Sequence, residues 1–436
     1  MGRNQPAPCV CGLAAAWPPR MVQGGHRDTK GDIGFILSML RPGSLPLTLL
    51  LAMLTGLGPL SVDMYLASLP DIGRLLMAPA SQVQLTISFY LIGFAVSQVF
   101  YGPLSDRHGR RPVLLAALSL YLLATLACSL AFSIETLIAA RLFQALGGSG
   151  TIVLARAVVR DMYDGVAVGR ELSRMAAIMA IAPLVAPLIG GVLQTAFGWR
   201  SNFIALLIFG AAAWIMVWQL LPETLRRRAP EPVSVASILR SYRQFLRNRS
   251  FTVHVGIVTC CMGGLFAWIS TSAFVLQDIY GFSALAFGIA FAIGSSGYMV
   301  GTAVAARFVT LLGTGRTMGI GAAAMACGGL AMMLVMTFDL KPSIGLIAAM
   351  AVYLIGMGMA LPQAQAGALL PFPERAGAAS SLLGFTAQTS AAAIGAILGH
   401  LLGSTAWPLV IATAIAGCLS LVFWMLSRGV RSCAAP

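Results

Sequence analysis

The chain has 436 residues, 58% of them hydrophobic and only 10% charged, with a formal net charge of +14, whereas soluble domains carry roughly 25% charged residues. That composition excludes an ordinary soluble protein, and basic loops lying against an anionic leaflet account for the positive charge with no nucleic acid as partner. A helix needs about 20 apolar residues to cross about 30 Å of hydrocarbon, and the sequence holds twelve such segments.

Residues 1–43 come first and read as a cytoplasmic disordered tail, bearing Pro, Gly, Arg3, Arg20, Arg27 and Lys30. They lack a continuous apolar core with a small-residue cleavage site, so no cleaved signal peptide is expected; Met21 and Met39 stand as alternative starts. The twelve spans follow at approximately 45–68, 82–104, 112–132, 135–158, 171–194, 201–221, 252–277, 284–309, 316–337, 343–369, 377–402 and 406–427. Charge, Pro and Gly gather in the breaks between them. The expected fold class is an all-α membrane protein of twelve transmembrane helices in two six-helix bundles.

With the amino terminus inside, the 28 basic residues fall on inner segments except for Arg74, Arg200 and Lys341 outside and Arg141 within the membrane. This asymmetry predicts a multi-pass protein of the inner (plasma) membrane with both termini cytoplasmic. The eight cysteines form no disulfide framework: Cys128, Cys260, Cys261, Cys327 and Cys418 lie in spans as small apolar residues, and Cys9, Cys11 and Cys433 lie in cytoplasmic tails. No metal site is expected.

The longest loop, Pro222 to Ser250, contains LRRRAPEP and RSYRQFLRNRS and divides the chain after six spans. The expected domains are therefore a bundle over 44–221, a cytoplasmic linker over 222–250 with a surface amphipathic helix around Ile238 to Phe245, a bundle over 251–427 and a tail over 428–436. Six plus six is an arrangement in which two bundles rock about a central site. GRR at 109–111, after the second span, is echoed by GTGR at 313–316 after the eighth, about 206 residues later.

GPLSDRHGRRPVLL at 102–115 sits at the inner end of the second span. Gly102 would let helices approach closely; Asp106 can accept from backbone donors and Arg near the next helix amino terminus; Arg107, Arg110 and Arg111 can anchor to lipid phosphate or to carboxylates. A positive-inside turn is the plainer account of the same residues. On the fifth span, APLVAPLIGG places Ala182, Ala186 and Gly190 four residues apart, a small-residue face kinked by Pro183 and Pro187.

Gly102, Asp106, Arg107, Gly109, Arg110 and Arg111 resemble the signature loop of the major facilitator superfamily. The resemblance implies a conformational latch whose Asp and Arg hold the two bundles closed on the cytoplasmic side. Pro183, Pro187, Gly190 and Gly191 resemble the antiporter motif of drug-exporting members, with Ala182 and Ala186 where Gly is commoner. SVDMYLASLP, RLFQALGGSG, VVRDMY and ERAGAASSLLGF add a resemblance to the bicyclomycin and chloramphenicol resistance (Bcr/CflA-type) branch, proton-coupled drug antiporters of the inner membrane. The chain departs from that branch at Ala67 and Ala273, where Pro is usual, and both departures are expected to stiffen helices that gate the outer side.

Of 14 acidic residues only Asp63 falls within hydrocarbon, at a depth similar to that of Arg141. A charge at the bilayer centre costs about 2.5–3.5 kcal/mol on insertion scales, so the two are expected to form a fixed ion pair or a proton relay. Burial and a nearby guanidinium pull a carboxyl's protonation in opposite directions, which makes Asp63 the leading proton-coupling residue. Tyr65, Gln98 and Tyr101 in the first half, and Trp268, Ser270, Thr271, Gln363, Gln365 and Gln388 in the second, could line a central cavity with Met357, Met359 and Phe385. His108, His254 and His400 are not expected to carry protons.

No Walker loop, H-E-x-x-H or G-x-S-x-G occurs, so the chain is not expected to be an enzyme and energy must come from an ion gradient or from the substrate itself. The sequence thus predicts a proton-coupled exporter of small, largely apolar compounds, without cofactor, working as a monomer among membrane lipids. A dedicated sugar or nucleoside transporter, or a non-transporting sensor of the same fold, is the alternative.

Overall fold

The computed structural model describes residues 44–225, 235–372, 375–403 and 405–432. The expected tail at 1–43, the linker stretch 226–234 and the last residues at 433–436 lie outside the described residues. Every regular element among the described residues is helical. In chain order these are α1 Leu45–Asp63, α2 Leu69–Leu75, α3 Ala80–His108, α4 Arg110–Ser129, α5 Ile134–Met162, α6 Val166–Phe197 and α7 Arg200–Leu220. They continue as α8 Val235–Arg247 and α9 Arg249–Phe274, then α10 and α11 within Ala284–Thr337, α12 Pro342–Leu369, α13 Ala376–Leu401 and α14 Trp407–Ser432.

Ten helices are long and apolar enough to cross a membrane among the described residues. One of them, Ala284–Thr337, is split by Gly313 into α10 (284–312) and α11 (314–337), and α6, with its apolar stretch Ile181–Phe197, completes twelve spans. The first span is α1 and α2 together, broken between them.

In the first half α5 packs on α3 and α4, α4 packs on α7, and α1 packs on α5, α6 and α7. In the second half α10 and α11 pack on α12 and α14, and α9 packs on α12, α13 and α14. The halves meet along two seams, α3 with α13 and α6 with α10.

The halves repeat one another. Helix starts at Leu45, Ala80 and Arg110 are matched by starts at Arg249, Ala284 and residue 314, the same interval each time. Gly109 (φ 103°, ψ 153°) and Gly313 (φ 78°, ψ 163°) turn the chain at corresponding places in the same left-handed conformation, which a residue with a Cβ adopts only at a cost. The second GxGR echo in the sequence is therefore a true structural counterpart. The end of the molecule bearing these two glycines is called the basic end below, and the opposite end the far end.

The linker helix forms, longer than expected, over Val235–Arg247. Phe245 is its buried anchor, 4.7 Å ring to ring from Phe372 and 5.8 Å from Phe251, and Arg375 at the start of α13 donates to Gln244 at 2.9 Å.

The expectation of stiffness at Ala67 and Ala273 is overturned. α1 stops at Asp63, and Leu66–Ser68 form a single 3-10 turn before Pro70 helps open α2. α9 stops at Phe274 and passes into a π turn, Val275–Ile279. Proline is not needed at Ala67 because side chains hold the break from outside: Ser68 Oγ donates to Gln194 at 2.5 Å and accepts from Asn202 at 3.0 Å, tying it to α6 and α7.

Candidate functional site

The break in the first span creates a site. A helix end leaves its last carbonyls without main-chain donors and carries a partial negative charge. At Ser61 the carbonyl oxygen is taken by a side chain from across the bundle: Arg141 Nη1 donates to it at 2.8 Å, and also to Gln144 Oε1 at 2.6 Å. The guanidinium lies between the rings of Tyr65 and Tyr90, 4.3 Å from each centroid, with Phe203 at 5.9 Å. Arg141 is fully buried at 0% exposure. Helix dipole, carbonyl and two aromatic faces thus do the work that the sequence assigned to a carboxylate.

A chain of hydrogen bonds keeps this cage in shape. Gln144 Nε2 donates to Thr125 Oγ1 at 2.9 Å, Thr125 donates to the Tyr121 carbonyl at 2.6 Å, Ser61 Oγ and Tyr121 hydroxyl lie 2.8 Å apart, and Tyr65 hydroxyl meets Thr86 Oγ1 at 2.8 Å. Tyr90, Thr86, Gln144 and Tyr121 were not singled out from the sequence; only Gln144, one turn beyond Arg141 on the same helix, carried a signal.

Asp63 does not join this cage. It is 4% exposed, and among the described residues it makes no hydrogen bond and no ion pair. Among the described residues the expected fixed pair with Arg141 is absent: Nη1 of the guanidinium is taken by Ser61 and Gln144 and its faces by the tyrosines, while its Nε and Nη2 have no hydrogen-bond partner. No cation among the described residues pairs with the Asp63 carboxyl.

Asp63 is also not the only buried carboxylate. α6 begins at Val166, earlier than the expected fifth span, and buries Glu171 at 2% exposure, where it accepts from Arg174 at 3.0 Å. Thr48 of α1 lies 3.5 Å from its other oxygen.

The antiporter-like residues pack α6 against the first span and against the second half. A Cβ at Gly190 would run into the Met64 carbonyl, immediately after Asp63, while Gly191 faces the Ala284 carbonyl at the start of α10 and the Pro187 carbonyl faces Gly288. α6 therefore touches the break of the first span on one side and the other half of the molecule on the other.

Deeper along this seam the helices part around a cavity of about 330 Å³. Met179 and Pro183 of α6, Met262 and Leu265 of α9, Ser295 and Tyr298 of α10, and Leu354, Met357, Leu361 and Gln365 of α12 line it. Mostly apolar walls with a few hydrogen-bonding groups suit a small organic ligand. Of the expected cavity residues, Gln365 and Met357 are here, with Pro183 from the helix motif.

The others are elsewhere. Trp268 is fully buried against Phe291, ring centroids 6.3 Å apart; Tyr101 packs on Gly150 of α5; Gln98 faces Gly384 of α13; Gln388 is half-buried on α13. Ser270 and Thr271 bond back to carbonyls of their own helix at 2.7 and 2.6 Å. Asp63, Tyr65 and these residues do not line the seam cavity.

The loop at 102–115 is pinned within the first half. Arg110 donates to Asp161 at 2.9 Å and Ser105 at 2.6 Å and pairs with Asp106 at 2.5 Å. Glu223, not Asp106, accepts the main-chain N–H groups of Arg110 and Arg111, at 2.9 and 3.2 Å, capping α4. Arg111 donates to the Trp218 carbonyl at 2.5 Å, and Arg107 is exposed. The space where a Gly102 side chain would stand is open, so the expected close helix approach there does not occur.

The sequence model of the Major Facilitator Superfamily matches residues 51–396. The chain belongs to that superfamily. This facilitator is 31% identical over 352 residues to Multidrug resistance protein D of Escherichia coli strain K12, covering 79% of this chain and 86% of that one. It is 29% identical over 394 residues to a Bicyclomycin resistance protein homolog of Haemophilus influenzae, covering 88% and 97%. Its fold is that of the xylose transporter XylE from E. coli, solved in a partially occluded inward-open conformation, with TM-score 0.67 at 15% identity over 87% of this chain and 96% of that one.

In this facilitator the seams close at the far end. Gln84 abuts Gly399 and Ser88 abuts Gly395 where α3 meets α13, and contact persists to Gln98 against Gly384, but one turn further a Cβ on Gly102 would meet no atom within 4 Å. The latch residues reach no second-half side chain among the described residues. The halves are thus joined at the far end and parted at the basic end.

Proposed function

We propose that this membrane protein exports small, largely apolar, drug-like compounds in exchange for protons, by alternating access. It would lie in the inner membrane with both termini and the basic end cytoplasmic, draw on the proton gradient without a cofactor, and act as a monomer among membrane lipids. The observation that carries the reading is the seam cavity, lined from both halves by methionine, leucine and proline with only Ser295, Tyr298 and Gln365 as polar groups. A sugar or nucleoside carrier would need a denser polar lining. The multidrug and bicyclomycin resistance names of the relatives support the same substrate class.

Asp63 supplies the coupling. A carboxyl with no fixed partner, set where the first span breaks and where α6 touches it at Met64, can take a proton in one facing and release it in the other. Arg141 is a positioning residue that holds the broken helix in shape. The far-end seam supports a reversible closure: Gln84 and Ser88 bury polar side-chain atoms with no protein partner. Each such atom costs about 1–3 kcal/mol, so the closed seam is not bound so tightly that it cannot open.

Expression in a drug-sensitive host across a panel of antibiotics, with drug-evoked proton movement measured in vesicles from the same cells, tests the reading. Raised tolerance together with proton movement is expected. Unchanged tolerance to every compound and a silent vesicle assay would sink it.

A further inference from the structure

The halves related by the repeat differ in charge at the basic end. In the first half, the basic-end meeting point of α4, α5 and the loop after α7 is filled with ions of both signs, Arg110 against Asp161 and Asp106, with Glu223 on the main chain of α4. In the second half the start of α11 after Gly313 and the end of α12 stand at the places of α4 and α5, and the start of α9 joins them. No carboxylate of the described residues lies there. Instead there is a cavity of about 610 Å³, lined by Arg249, His254, Thr314 and Gln363 on its polar side and by Met318 and Leu370 on its apolar side.

Arg249 takes part in none of the ion pairs among the described residues. At this place the described residues of one half contain cation and anion, and those of the other contain the Arg249 cation with the Thr314 hydroxyl and the Gln363 amide around a space. What completes such a space is an anion with several acceptor oxygens, because charge-assisted hydrogen bonds to phosphate are among the strongest available. Basic pockets between spans take phosphate head groups in this way. The apolar side, where Leu370 is 77% exposed, is placed to meet an acyl chain.

We propose that this cavity binds a phosphate-bearing anion, supplied either by an acidic phospholipid head group or by free phosphate. The proposal does not depend on what the seam cavity exports. In the first half the protein's own carboxylates fix the basic end; in the second half a bound phosphate does so.

The test uses the delipidated full-length protein, titrated with phosphatidylglycerol, with uncharged diacylglycerol or with inorganic phosphate, and read by native mass spectrometry. Phosphatidylglycerol or phosphate should bind and diacylglycerol should not. Arg249→Gln should weaken that binding at least tenfold, Arg249→Lys should restore most of it, and Arg240→Gln, an exposed arginine of α8 outside the cavity, should leave it unchanged. Binding of the lipid that phosphate does not displace assigns the site to a head group; binding of phosphate alone assigns it to the free ion. No binding by the wild type, equal binding by Arg249→Gln, or equal weakening by Arg240→Gln overturns the proposal.

Discussion

Arg141 donates a hydrogen bond to the main-chain oxygen of Ser61, 2.8 Å away and 80 residues earlier in the chain. This contact ties a buried cation to the end of a broken helix and leaves the carboxyl of Asp63, two residues on, without an ion-pair partner. The cation is compensated by a carbonyl, a helix dipole and two aromatic rings instead.

Arg141→Ala should therefore destabilise the protein through the lost stacking, by at least about 2 kcal/mol, the scale of a desolvated cation–π contact. Arg141→Lys should rescue only part of this, because an ammonium lacks the planar fork that stacks between two rings while donating to Ser61 and Gln144. Thermal unfolding of the purified protein measures both. A lysine variant melting with the wild type would mean that charge alone matters at this position.

Twelve spans, two halves and the break between them were legible because hydropathy and loop charge are local properties of the chain. Asp63 and Arg141 could be found as rare intramembrane charges, but their relation could not. Sequence depth suggests a pair, whereas the outcome depends on a helix break that frees the Ser61 carbonyl and on Tyr65 and Tyr90 converging from two spans. Glu223 was missed for a similar reason: nothing in PETLRRR marks it as the cap of a helix that begins more than a hundred residues earlier. Gln365 and Met357 were found, but their partner Met179 lies across the seam and Tyr298 on another helix of the same half, where no periodicity reports.

Gln84 is fully buried and neither polar atom of its amide has a protein partner. Gln84→Leu should stabilise the far-end-closed facing by about 1–3 kcal/mol and slow turnover, because opening the seam would no longer release a strained polar group to water. A raised melting temperature with reduced efflux is the expected pair of results. Faster efflux with a lower melting temperature would contradict it.

The Cβ of Gln84 and the position of a Cβ on Gly399 are 3.2 Å apart, close to the roughly 3.5–4.5 Å of a disulfide. In a background lacking the native cysteines, Gln84→Cys with Gly399→Cys should cross-link readily and arrest transport until reduced. Full transport by the cross-linked protein would show that the α3–α13 seam need not open.

Gly190 leaves no room for a side chain beside the Met64 carbonyl. Gly190→Ala should force α6 away from the break at a cost of about 1–3 kcal/mol, the usual range for overpacking. Efflux should fall more than expression does. Wild-type efflux from Gly190→Ala would separate the antiporter-like helix from the coupling proposed for Asp63.

Asp63→Asn tests the central claim most directly, since it removes a carboxyl that has, among the described residues, no hydrogen bond or ion pair to lose. In proteoliposomes with an imposed pH gradient, the variant should keep its melting temperature while gradient-driven drug accumulation falls at least tenfold. Accumulation at the wild-type rate, still driven by the gradient, would contradict the account.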